Sequence, residues 1–149
     1  MRRFKFRLET NLKVVQIRED LQRQELQQIQ TRLTEARDTL LRLELQYRGL
    51  EQEIRDISAK RLDLDLLRLF RDYLGVVNRL IKQQHLVIRG LEAELAECRE
   101  KLKKLLMERK LLERLKSRRW EQYQYETLVE EQKLVDEMGI NQYLSLRSN

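Results

Sequence analysis

Apolar side chains recur at alternating spacings of three and four through Leu26, Ile29, Leu33, Ala36, Leu40, Leu43, Tyr47, Leu50, Ile54 and Ile57. A second series runs through Leu67, Phe70, Leu74, Val77, Ile81, Gln84, Ile88, Leu91, Leu95, Cys98, Leu102 and Leu105, with Gln84 its one polar member. A mean repeat of 3.5 residues keeps a narrow apolar stripe turned toward one partner helix, the requirement of a left-handed coiled coil. Continued from Ile57, the first series would next fall at 61, 64 and 68, yet the second begins at Leu67. That one-residue slip predicts a turn, with the second helix packed back on the first.

Antiparallel pairing of the two seams sets Ile57 beside Leu67, Ile54 beside Phe70, Leu43 beside Ile81 and Leu26 beside Cys98, pairs whose numbers each sum to 124. The expected fold is all-α: one long antiparallel two-helix coiled-coil hairpin over residues 1–149. Helix one covers about 8–57, the turn about 58–66 and helix two about 67–138. Ser58, Asp63 and Asp65 are the capping side chains at the turn. A shift by one heptad satisfies the periodicity equally, and only turn length disfavours it. The register places Leu8 near Lys116, so helix two overhangs the open end by roughly 20 residues, about 30 Å. Gly139 reads as the helix stop and 139–149 as a frayed tail.

The composition fits. Charged residues are 38% of 149, proline is absent and glycine occurs four times, a balance of long helices rather than sheets. The apolar residues lie in stripes, so the chain buries a seam and not a compact core. A single cysteine excludes an internal disulfide and fits a reducing compartment; in the seam, Cys98 reads as a packing residue. The charged N-terminus lacks a following apolar stretch, and no apolar run approaches the roughly 20 residues of a membrane span. A soluble, cytoplasmic protein without membrane insertion is the expectation.

Charge is segregated near the open end. Residues 101–119 hold nine bases against Glu108 and Glu113, and Arg2, Arg3, Lys5 and Arg7 add four more. Residues 121–137 hold six acids against Lys133, close to Trp120, Tyr123 and Tyr125. This is either an ordinary solvated helix surface or an electrostatically steered docking end. A second apolar stripe (Leu66, Leu69, Tyr73, Val76, Leu80 and Val87, with Leu41 and Leu45 on helix one) exceeds what one seam needs. Partial shielding, a third helix of a homo-oligomer or a partner site would each account for it. Gly49 and Gly75 fall at one height there, as tolerated defects or as room for close approach.

The isolated glycines form no phosphate loop. One histidine and one cysteine make no recognisable metal site, and His85 reads as a flanking surface residue. A two-helix seam offers no enclosed pocket in which to retune a carboxylate, so neither an enzyme nor a cofactor is expected. Despite a pI near 9.6, acids interleave with bases and no continuous basic region precedes a zipper, so nucleic acid is not an expected partner.

The opening Phe4-Lys-Phe-Arg-Leu-Glu9, the unequal helices and the ending Glu130-Glu-Gln-Lys-Leu-Val-Asp-Glu137 together resemble the FliJ family of flagellar type III export proteins, over essentially the whole chain. The resemblance implies an antiparallel coiled coil similar to the stalk of rotary ATP synthases. It implies three partners: the hexameric flagellar export ATPase, the cytoplasmic domain of the export gate membrane protein, and substrate-free export chaperones. It also implies a position at the inner-membrane export apparatus. Placed on that picture, Phe4, Phe6, Arg7, Arg118, Arg119, Trp120 and Tyr123 form the ATPase-binding end. The family's gate-binding strip, carried over by position, falls on Ala36, Leu40, Leu43 and Tyr47 of helix one and on Tyr73, Val77, Leu80 and Gln84 of helix two. The sequence departs from the family pattern at Ala36 and Leu43, and six of these eight positions belong to the seam; Tyr73 and Leu80 lie off it. Two other readings remain at this stage: a coiled-coil tether built as a parallel dimer of one long helix, and the equivalent stalk of a virulence type III secretion system.

Overall fold

In a computed structural model, which describes residues 2–60 and 63–149, the chain forms two α-helices, α1 (Glu9–Lys60) and α2 (Leu64–Arg147). No strand occurs among the described residues. Neither helix is long and apolar enough to cross a membrane.

The helix ends follow local chemistry. Asp63 caps α2: the Asp65 amide donates to its Oδ1 at 3.0 Å, satisfying one of the free amides of the first turn. Of the three expected capping side chains, Asp63 takes this role. Glu9 opens α1 and Lys60 closes it, each matching the sign of the helix dipole. Residues 61 and 62 of the expected turn lie outside the described residues. The helices are longer than periodicity suggests, three residues longer at the end of α1 and three at the start of α2. The expected stop at Gly139 and the frayed tail are corrected: α2 continues to Arg147. Gly139 keeps a right-handed backbone conformation, and glycine inside a helix costs only about 1 kcal/mol relative to alanine. Nothing forces a terminus there.

The residues group into two compact units, one of 1–19 with 104–149 and one of 20–103. In the second unit, α1 and α2 pack antiparallel as a two-helix hairpin. Ile29, Leu33, Ala36, Leu50, Val77, Ile88 and Cys98 are buried, and every other expected seam position there is half-buried. Leu33, Ala36 and Ile88 form a cluster against which Leu40, Leu91 and Leu95 pack. Cross-helix bonds report the register: Gln84 Nε2 donates to the Ala36 carbonyl at 2.9 Å, Gln22 Nε2 reaches Cys98 Sγ at 3.0 Å, and Arg32–Glu94 and Arg37–Glu92 pair at 3.3 Å. Their numbers sum to between 120 and 129, around the expected 124, whereas a one-heptad shift would centre them on 117 or 131. Since α1 and α2 pack on each other here, the single continuous helix of a parallel dimer is not the arrangement adopted.

In the first unit, residues 2–8 run without regular structure alongside α2, and α1 begins opposite Lys116, whose Nζ meets Glu9 Oε2 at 2.9 Å. Arg147 lies 31 positions further along α2, about 46 Å at 1.5 Å per residue. The overhang therefore exceeds the roughly 20 residues expected.

Candidate functional site

The first unit is organised by an aromatic clasp. Phe4 sets its ring edge-on to Trp120, with centroids 5.1 Å apart at 77°, and tilted against Tyr123 at 5.5 Å. Trp120 and Tyr123, three residues apart and so on one helix face, stack at 5.6 Å and 26°. The Tyr123 hydroxyl donates to the Arg2 carbonyl at 2.6 Å. Edge-to-face and offset geometries are those that ring quadrupoles favour. The clasp holds an unstructured, four-base segment against the helix.

Beneath the clasp the seam turns polar. Leu12 and Val15 are buried, and so is Glu19 at 5% exposure. The Arg109 guanidinium donates to Glu19 Oε2 through Nε and to Glu113 Oε1 through Nη1 at 2.9 Å. These bonds, from Glu113 first and then Glu19, raise the Arg109 pKa above its ordinary value. A buried carboxylate requires such a partner, since an isolated charge in the seam would be strongly disfavoured. Glu19 was not read as a seam residue from the sequence. The signal was present: extending the spacing backward from Leu26 passes through Gln22, Glu19, Val15 and Leu12, but two polar members interrupt it.

Of the expected docking residues, Phe4, Trp120 and Tyr123 come together in the clasp. Phe6, Arg7 and Arg119 line a neighbouring groove with Lys5, Leu8 and Leu115. Arg118 lies apart from the N-terminal segment, in a shallow groove with Lys110, Arg114, Ser117 and Glu121. Thus six of the seven gather around residues 2–8, and Arg118 does not.

The gate strip divides differently. Ala36 and Val77 are buried, at 7% and 1% exposure. Leu40, Leu43, Tyr47 and Gln84 are half-buried. Tyr73 and Leu80 are exposed, at 45% and 43%, and the Tyr73 hydroxyl accepts a hydrogen bond from Gln46 Nε2. A partner on the surface of this unit can reach Tyr73 and Leu80 directly but not Ala36 or Val77. The rest of the surplus stripe, including Leu41, Leu45, Leu69 and Val87, is also exposed. A Cβ at Gly49 or Gly75 would meet nothing within 4 Å, so close approach does not explain these glycines. Cys98 is buried against Gln22, and His85 is exposed. Among the described residues no group of three or more histidine, cysteine or acidic side chains could hold a metal ion.

The fold defines a class: among the described residues, an all-helical protein of two paired long helices. The family model described as "Flagellar FliJ protein" matches residues 4–148, and the chain belongs to that family. It is therefore a component of flagellar protein export that works with the export machinery. No curated protein and no solved structure matches the chain.

Proposed function

We propose that this protein is the coiled-coil stalk of the hexameric flagellar export ATPase, promoting its assembly and activity and linking it to the export gate and to export chaperones. It acts in the cytoplasm, at the inner-membrane export apparatus. Family membership supports the setting, and the observation that carries the reading is the clasp of Phe4, Trp120 and Tyr123. It gives a two-helix protein an aromatic surface flanked by basic side chains. Burying such a surface in a ring of ATPase subunits would supply apolar and aromatic contact, with the flanking bases steering the encounter. A stalk touching an asymmetric ring binds some subunit states more tightly than others, and only that difference in affinity shifts the ring among its states. Tyr73 and Leu80 are the side chains proposed for gate contact.

The test is ATP turnover by the cognate export ATPase as this protein is titrated from well below to above one copy per hexamer. Stimulation saturating near one per hexamer is the expected result. No stimulation of an ATPase that assembles and turns over alone refutes the stalk. Alanine at both Tyr73 and Leu80 is expected to weaken binding to the gate's cytoplasmic domain with helicity unchanged, and unchanged binding removes that assignment.

A further inference from the structure

A second stripe of heptad spacing lies on α2 in the first unit, outside its internal seam. It passes through positions 104 to 135 at alternating intervals of three and four, and every member is exposed. Its apolar members Met107, Leu111, Tyr125, Leu128 and Val135 are 61, 61, 69, 64 and 62% exposed. The other five positions are Lys104, Arg114, Arg118, Glu121 and Gln132; exposed apolar side chains at this spacing make a face on which a partner helix can seat.

The charges on the stripe say which partner. Lys104, Arg114 and Arg118 precede the midpoint and Glu121 follows it. Arg114, Arg118 and Glu121 take part in no ion pair among the described residues. Turned end for end about a point between Arg119 and Trp120, the central six positions match one another, while further out Met107 falls against Gln132 and Lys104 against Val135. Leu111 then faces Leu128, Arg118 faces Glu121, and the Arg114 guanidinium faces the Tyr125 ring, a cation–π geometry. On the flank, Lys110 faces Glu131. Each match occurs twice by symmetry, as an isologous interface requires. A parallel alignment would instead set Arg114, Arg118 and Glu121 each against its own copy, and like charges so placed repel.

We propose that two copies of this chain associate antiparallel through this stripe of α2, with a two-fold axis crossing the helix between Arg119 and Trp120. The docking assignment of Arg118 is not needed for this, so the test reads association directly and not ATP turnover. Sedimentation from about 1 to about 100 µM is expected to show a concentration-dependent dimer that weakens as salt rises. Glu121→Arg or Arg118→Glu alone places like charges in contact, and each is expected to raise the dimer dissociation constant at least about tenfold. The combined R118E/E121R exchange is expected to restore it, with far-UV circular dichroism unchanged throughout. Wild-type protein that stays monomeric over the whole range overturns the proposal. So does a double exchange that fails to restore a dimer both single reversals have weakened, because the copies then meet in another register. A monomer whose Glu121→Arg form loses ATPase stimulation assigns the stripe to the ATPase and likewise overturns self-pairing.

Discussion

Replacing Phe4 with alanine is expected to detach residues 2–8 from α2 while leaving both helices intact. Phe4 supplies the 5.1 Å edge-on contact to Trp120 and the 5.5 Å contact to Tyr123. Aromatic pairs contribute about 0.5–1.5 kcal/mol each beyond burial, so the substitution removes about 1–3 kcal/mol. At about 1.4 kcal/mol per decade, attachment of the segment weakens roughly 5- to 140-fold. The hydrogen bond from Tyr123 to the Arg2 carbonyl remains, contributing about 1 kcal/mol, as do the half-buried Phe6 and Leu8, which must then oppose the chain entropy of the segment without the clasp. Trp120 is the chain's one tryptophan, so its emission reports the clasp without a label. The expected result is a red shift and stronger acrylamide quenching, with faster amide exchange over residues 2–8. Far-UV circular dichroism stays constant because α1 starts at Glu9. Unchanged emission and exchange would refute the reasoning, since the rings would then touch without holding the segment. A fall in helicity would refute it differently, by making the clasp part of the global fold.

Other consequences can be measured in the same way. Ile29, 2% exposed in the second unit, should cost about 2–4 kcal/mol on conversion to alanine, the lower part of the core range because two helices can partly close the gap. Leu86→Ala, at 66% exposure, should stay within about 0.5 kcal/mol, and urea midpoints separate the two. Hydrogen bonds from Glu113 and Glu19 raise the Arg109 pKa. A raised folded-state pKa stabilises fully below the unfolded value and is lost only as pH rises through the folded one. Arg109 therefore contributes constantly through the neutral range and loses its effect only in strong alkali. Arg109→Met should lower the melting temperature by leaving Glu19 buried without its guanidinium, and a further Glu19→Met should recover most of the loss; a double variant no better than the single would contradict this. Gly139→Ala should slow amide exchange around Met138 and Ile140 by up to about fivefold, from about 1 kcal/mol of helix preference. Nothing lies within 4 Å of the added Cβ, so faster exchange there would mean that the helix does stop at this residue.

The seam was readable because its physics is local and repetitive. A 3.5-residue repeat buries its stripe only against another helix, so Leu33, Ala36, Val77 and Ile88 announce their burial wherever the partner comes from. Gln84 illustrates the limit of that reading. Its seam position was legible, but the carbonyl it bonds, that of Ala36, is 48 residues away and named by no pattern. The docking residues were legible as a cluster of types, since aromatic and basic side chains concentrate near both ends of the chain. That Phe4 contacts Trp120 and Tyr123 while Arg118 stands apart depends on the path of residues 2–8, which carry no periodicity to read.

The sequence by itself determined the helical class and the two seams, because periodicity constrains any packing of these helices, but it left an antiparallel hairpin and a parallel dimer of one long helix both open. Tertiary structure decided what those rules leave degenerate. It selected one register from several a heptad apart, through contacts such as Glu9 with Lys116 and Arg37 with Glu92. It drew Glu19 into the seam, which polarity argues against, because Arg109 arrives from α2 to neutralise it. It carried α2 through Gly139 to Arg147, because a glycine ends a helix only when its backbone turns left-handed to cap it. A charge is buried or a helix ended by groups brought together across space, and their meeting is settled only once the chain has folded.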